Sequence, residues 1–175
     1  MPRSLADGHI RLAILNTQPA IPERPTKAEL DAGVDASCAI LASDFQWGAT
    51  TSERITGQEP LCAVNTQEGL GKSVFNATLT AFRYFDSSDE AETAGQDATF
   101  QLLKEKGATL WIYARNTSKL STDDWETEDE IYLGGEVITD EPQRPTDAGG
   151  YIRYTVPLLF QQAWPFTQVG PVVTP

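Results

Sequence analysis

The side chains with the most chemical reach in this sequence are one histidine, two cysteines, a Gly-Lys-Ser triplet, a run of carboxylates and four tryptophans. His9 is the lone histidine, so a serine or cysteine triad would have to be built on it. It opens an apolar alternating stretch, where a surface or packed imidazole is the ordinary outcome. Cys38 and Cys62 have no ligand spacing, and with a single histidine they make no zinc site; they read as two buried thiols rather than a disulfide. Gly71-Lys72-Ser73 has the ending of a phosphate-binding loop, but Thr66 stands where the earlier glycine is required and a strand pattern follows where a helix should begin. Asp123-Asp124-Trp125-Glu126-Thr127-Glu128-Asp129-Glu130 lacks the central glycine and the ligand spacing of a calcium loop. Any two of these acids could converge as the carboxyl pair of a hydrolase, one with its pKa raised by burial, yet nothing singles out a pair. Trp47, Trp111, Trp125 and Trp164 could form a sugar-stacking face of a carbohydrate-binding module, although two of them lie in strand patterns where core packing is the default. No catalytic, cofactor-binding or metal-ligating residue emerges, and the chain is expected to be neither an enzyme nor a cofactor carrier.

The elements that would position these residues are mostly strands. Phe75, Ala77, Leu79 and Ala81 alternate with Asn76, Thr78 and Thr80, the period of a half-buried strand running from Ser73 to Phe85. Phe82, Tyr84 and Phe85 put aromatic area on both faces of its far end, which calls for a second covering surface. Ser87 and Glu90 have the form of a capping box, and Phe100 with Leu103 and Ala94 with Ala98 have helical spacing. A helix is expected over that stretch, weakened at Gly95, where its ordered part would begin, and closed by Lys104, Lys106 and a left-handed Gly107. Ala108 to Arg115 returns as a strand, with Trp111 and Tyr113 opposing Leu110 and Ile112.

Elsewhere, His9 to Leu15 reads as a first strand, and Thr26 with Glu29 as a second capping box on a short helix ended by Gly33. Ala36 to Leu41 and Asp44 to Trp47 supply strand-like apolar residues. Residues 48–71 read as a projecting arm, with Glu53 to Thr56 and Leu61 to Val64 as the two sides of a hairpin about Gly57-Gln58-Glu59-Pro60. Glu130 to Thr139 and Tyr151 to Phe160 are two further strands. Gly134-Gly135 predicts a bulge or a close backbone approach, and Pro157 a position at an edge or past the paired part. The proline-bearing stretch 165–175 reads as an extended arm. The pattern is mainly β: an antiparallel β-sandwich or barrel with one principal flanking α-helix, in a single domain spanning 1–175.

At 175 residues the chain can bury a sizeable core. No apolar run approaches the roughly 20 residues of a membrane span, and the start lacks the apolar stretch of a signal peptide, so a soluble, cytoplasmically made product is expected. In that setting Asn76-Ala77-Thr78 and Asn116-Thr117-Ser118 carry no weight as glycosylation sites. The formal charge of −12 excludes nucleic-acid binding by phosphate neutralisation. Much of the acid lies between Asp123 and Glu141, where a solvated loop is the ordinary reading.

Taken in order, several segments resemble the major tail tube protein of long-tailed bacteriophages, in the form found in phages of actinobacteria. They are Gly8 to Leu15, Pro25 to Asp35, Phe82-Arg83-Tyr84-Phe85 leading to Phe100 to Gly107, Trp111-Ile112-Tyr113-Ala114-Arg115, Gly134 to Asp140 and Gly149-Gly150-Tyr151-Ile152-Arg153. The resemblance implies the tail-tube fold and a structural virion protein whose six-membered rings stack into a conduit for DNA ejection. It implies strands of adjacent subunits joined around a channel, with stacking assigned to the arm at 48–71, the segment around Pro19 to Pro25 and the stretch after Trp164. Implied partners are further copies of the chain, the tape measure protein, and the tail tip and terminator proteins; DNA passes without specific binding and no membrane is involved. The expected location is the virion tail, reached from the host cytoplasm during assembly. The immunoglobulin-like domain that some relatives carry is expected to be missing. The tube subunit of a contractile injection system is an alternative within the same physics.

Overall fold

A computed structural model describes residues 6–66, 68–92, 95–147 and 149–171. Its strands are β1 (Ile10–Leu15), β2 (Val34–Asp35), β3 (Gln46–Ala49), β4 (Arg54–Ile55), β5 (Gly69–Leu70), β6 (Phe75–Phe82), β7 (Thr109–Asn116), β8 (Glu130–Thr139) and β9 (Arg153–Gln168). Two short helices, α1 (Lys27–Ala32) and α2 (Ala98–Leu103), flank them. Seven strands form one sheet in the order β2-β1-β7-β8-β9-β6-β3, all neighbours antiparallel. The mainly β, antiparallel architecture expected from the alternating patterns is the one observed.

The main core lies on one face of this sheet and draws on every long strand: Leu12 and Ile14, Leu110, Ile112 and Ala114, Leu133 and Val137, Val156 and Leu158, and Ala77, Leu79 and Ala81. Phe100 and Leu103 of α2 cover it. The sheet curls enough for β3 to reach β8 across β9. The Trp47 indole N–H donates to the Leu133 carbonyl at 3.0 Å, and the Tyr132 hydroxyl donates to the Trp47 carbonyl at 2.7 Å. Phe160 fills the space between, 4.6 Å from the Trp47 ring and 5.5 Å from the Phe75 ring. A smaller cluster on the opposite face joins Ala13, Leu15, Leu30, Tyr113, Trp125, Ile131 and Val169. Burial pushes the pKa of the Tyr132 phenol up to about 12, so the hydroxyl stays a donor throughout the physiological range.

The Gly134-Gly135 pair makes the close approach its sequence predicts. A Cβ on Gly134 would stand 2.7 Å from the Tyr113 ring, and one on Gly135 would run into the Phe160 ring, on the other face. A register shift follows at once, between Glu136 and Val137. Pro157 lies in a strand with neighbours on both sides, but β8 pairing ends at Thr139 opposite Leu158. Since the Pro157 carbonyl accepts from the Asp140 amide at 3.0 Å, its donorless nitrogen faces the same side, just past that ladder.

Four expectations are corrected. The principal helix is only one and a half turns: Asp86, not Ser87, organises the stretch before it by accepting from the amides of Ser88 at 2.7 Å and Glu90 at 3.0 Å. Ala94 lies outside the described residues. Ala36 to Leu41 is not a strand, because β2 ends at Asp35 and a 3-10 turn spans Ala42–Asp44. The hairpin across Gly57 to Pro60 is absent, since Arg54 and Ile55 pair with Leu70 and Gly69. Residues 165–170 are not a free arm: Pro165 and Thr167 pair with Leu133 and Ile131, and Gly170 donates to the Pro25 carbonyl at 2.8 Å. Residues 172–175 lie outside the described set.

Gly135→Ala should lower unfolding free energy by about 1–3 kcal/mol through overpacking against Phe160. Gly48→Ala, where a Cβ would meet nothing within 4 Å, is the control that should stay near wild type in the same urea titration.

Candidate assembly surface

β9 is the longest strand, and its two sides are unequally used. β6 accompanies it from Arg153 to Leu158, whereas β8 accompanies it through Gln168. From Leu159 to Phe166 the other side of β9 meets no strand among the described residues. Beyond that, the Thr167 hydroxyl donates to the Glu23 carbonyl and Gly170 meets Pro25, which closes the end. The open edge carries Leu159, 57% exposed, at one end and Phe166, 75% exposed, at the other. An uncovered row of backbone donors and acceptors with apolar side chains is a template for another strand.

β6 leaves β9 because it is held by β3. Their pairing, Gln46 with Thr78 through Ala49 with Phe75, continues in the same register through Thr50 with Val74 to Arg54 with Leu70 and Ile55 with Gly69. The stretch 48–71 is therefore a long two-stranded ribbon growing out of the sheet. Ile55, Leu61, Val64 and Leu70 are exposed along it and at its tip. Between the ribbon base and the departing half of β9 lies an open cleft of about 540 Å³, lined by Val74, Phe75, Leu158, Leu159 and Phe160 among others.

The acid-rich loop before β8 is anchored rather than solvated throughout, which corrects the sequence reading. Arg11 and Arg115 stand directly opposite each other on β1 and β7. Arg115 has a fully buried side chain and donates to the carbonyls of Leu120, Asp123 and Asp124 at 2.7–2.9 Å and to the Asp129 carboxylate at 3.0 Å. Its guanidinium lies 5.1 Å from the centre of the buried Trp125 ring. Arg11 donates to the Asp123 carbonyl and pairs with Asp35 at 3.5 Å. Lys119 bridges Asp129 and Glu126, each at 2.6 Å. Burial works to raise the Asp129 pKa, but hydrogen bonds from Lys119, the Glu126 amide and Arg115 outweigh it and hold the carboxyl below its ordinary value. Among the described residues, Glu128, Glu130, Glu136 and Glu141 have no cation within ion-pair distance.

A second buried pair fixes the other end of β6. Asp97 has no exposed side-chain surface and accepts from Arg83 Nε at 2.9 Å, the Tyr84 amide at 2.9 Å and Gln101 Nε2 at 2.6 Å. Arg83 in turn lies over the Phe100 and Phe85 rings, 4.2 and 4.7 Å from their centres. Burial again works to raise the Asp97 pKa, and the Arg83, Tyr84 and Gln101 hydrogen bonds with the Arg83 charge prevail to lower it. At α1 the Thr26–Glu29 capping box forms as its sequence predicts, and Glu29 also accepts from the Ala20 amide at 2.7 Å, tying down the proline-rich segment. The Tyr113 hydroxyl holds the same segment through the Pro22 carbonyl at 2.8 Å.

The residues with chemical reach do not converge. His9 Nδ1 lies 2.9 Å from the Lys119 carbonyl, and Lys72 lies beside the ribbon, where the Glu53 amide donates to its carbonyl at 3.0 Å. Both cysteines are free, and both are exposed, not buried as their composition suggested: each sits in a segment outside the regular strands. Trp47 and Trp125 are buried, and Trp111 and Trp164 pack against the smaller cluster, so no tryptophan platform faces solvent. No group of three metal-ligating side chains occurs among the described residues.

A family model described as phage tail tube protein matches residues 1–172. The chain belongs to this family. It is a structural protein of the phage tail tube, and membership implies self-association into a tube alongside other tail components. No curated protein matches it. Among solved structures, a chain of the cryo-EM structure of the anti-feeding prophage (AFP) baseplate, 6-fold symmetrised, is similar with a TM-score of 0.47 and 14% identity, over 97% of this chain and 98% of that one. Sequence reasoning missed the edge, because it ended this strand at Phe160, whereas β9 runs on through Pro165 to Gln168.

Asp97 and Asp129 both have depressed folded-state pKa values, so each stabilises the fold at neutral pH, and that contribution fades as pH drops below about 4. Asp97→Asn should cost about 2 kcal/mol or more at pH 7 in urea unfolding, with the gap to wild type narrowing by pH 3. Arg115→Met, which strands Asp129 and three carbonyls, should cost about 3–5 kcal/mol at pH 7.

Proposed function

We propose that the open edge of β9, from Leu159 to Phe166, is completed by a strand of a second copy, and that six copies close in this way into a ring around a channel. The supporting observation is the edge itself: eight consecutive residues of a well-paired strand with one side unused, in a family that builds tubes. A heterologous contact that closes by rotation removes every such edge and stops lateral growth at the ring. Stacking of rings then falls to parts that leave the sheet. The ribbon at 48–71, with its exposed Ile55, Leu61, Val64 and Leu70, is suited to that task, and the chain acts as a single tail-tube domain. A permanent contact of this kind typically buries on the order of 2,000 Å² or more.

In this reading the protein has no catalytic activity, and its partners are its own copies, the tape measure protein, and the tip and terminator proteins. Assembly takes place in the host cytoplasm and ends in the virion tail. The ring becomes a conduit for DNA ejection, and its acidity has a use. Eight of the 13 lysines and arginines form ion pairs within the subunit, at Asp35, Asp31, Glu68, Asp97, Asp140, Asp129, Glu126 and Asp147 among others, while among the described residues Glu128, Glu130, Glu136 and Glu141 have no cation within ion-pair distance. Carboxylates along a channel repel phosphates, so DNA slides without sticking.

Negative-stain microscopy of concentrated protein beside its solution mass tests the assembly. Hollow rings or tubes are expected, and a chain that stays monomeric even with a tail tip complex present would overturn the reading. Replacing Glu128, Glu130 and Glu136 together with lysine should slow or stall DNA ejection from assembled virions; unchanged ejection kinetics would remove the role given to the charge.

A further inference from the structure

Phe166 combines three properties that a residue serving only its own subunit has no reason to combine. Its side chain is 75% exposed. It occupies the last open position of the β9 edge. Its backbone is left-handed, with φ 51°, a conformation that crowds the Cβ of any residue and disfavours a bulky one. Among the described residues the other non-glycine positions with positive φ are Asp89 and Glu128, both in turns outside the strands, so Phe166 is the one of these three that adopts it inside a strand.

The fold takes no visible benefit from that conformation. Pairing with β8 passes from Leu133 opposite Pro165 to Ile131 opposite Thr167, and no bridge forms between Tyr132 and Phe166. None of the close aromatic pairs, which link Trp47, Phe75 and Phe160, Phe82 and Tyr151, Phe100 and Tyr154, and Tyr113 and Trp164, includes the Phe166 ring. Backbone strain without a local return persists where function holds it in place.

We propose that Phe166 is the anchor by which one copy grips the next, its ring turned outward by the left-handed kink and covered by the sister copy. This rests on the reading of the open edge as a subunit contact. The occupant is a second copy because the ring closes the same edge that a sister strand would complete. Leu159 and Phe166 mark the ends of that edge, about 23 Å apart along an extended strand, the span of one short partner strand. Aromatic side chains at such positions carry a large share of association energy, while the backbone pairing beside them sets register.

The test separates the ring from the fold. Phe166→Gly removes the ring and relieves the backbone, and Phe166→Asn removes the ring while keeping a residue that tolerates the left-handed region. Both variants should melt at or above the wild-type temperature, yet need a roughly tenfold or greater protein concentration to form tubes in sedimentation and electron microscopy. Phe166→Trp should assemble near the wild-type concentration. Glycine and asparagine variants that assemble like wild type, or that melt several degrees lower, would overturn the anchor while wild-type tubes still stand as evidence for the assembly. A wild-type chain that never assembles would instead bring down the edge reading on which the anchor depends.

Discussion

β9 runs for 16 residues, and β6 follows it for only the first six of them. That mismatch governs the rest of the molecule. Where β6 accompanies it, the inner face of β9 supplies Val156 and Leu158 to a continuous core. Where β6 departs, the same strand keeps its pairing with β8 on one side and on the other offers an unpaired edge that borders a cleft. The departure has a cause within the chain: β6 pairs with β3 in a constant register that runs on into β4 and β5, and a twisted two-stranded ribbon cannot also follow β9. Ribbon, cleft and open edge are thus three consequences of one divergence.

The charge distribution follows a similar logic. An acidic chain needs its few cations where burial makes charge expensive, and that is where they are found. Arg83 and Arg115 are placed so that each neutralises a nearly or fully buried aspartate and lies against an aromatic ring. Arg115 also collects three loop carbonyls, so the acid-rich segment before β8 is shaped by a cation beneath it. Asp129 then passes this order to the chain end through its own carbonyl, which accepts from the Val169 amide at 2.9 Å. The carboxylates left without partners are a residue of this internal compensation. They concentrate net negative charge on the surface of the subunit.

The strands were legible wherever a single face is buried. Glu130–Thr139 and the core of Phe75–Phe82 follow from period-two alternation, and the Thr26–Glu29 capping box from the local competition for backbone donors. The Gly134-Gly135 approach was legible too, since few other reasons place two glycines inside an apolar strand. The misreadings have other sources, one a competing local cap and the rest partners distant in sequence. Ser87 and Glu90 have capping form, but Asp86 is nearer the turn amides, and Asp97 is drawn into a salt bridge with Arg83 that fixes where α2 starts. Leu61 to Val64 has strand composition, yet the register inherited from β3 and β6 gives the pairing to Gly69 and Leu70.

By itself, then, the sequence determined the mainly antiparallel class, the acidity and the ordered segments that carry the family likeness, because these rest on local periodicity, composition and short-range capping. Tertiary structure alone decided that residues 161–168 continue β9 through Pro165, that the acid-rich loop wraps a buried arginine, and that this strand edge stays open. A proline forbids only a donor, not a strand, and whether that donor is missed depends on which side has a neighbour. No one-dimensional pattern encodes this, since it is set by where two other strands end.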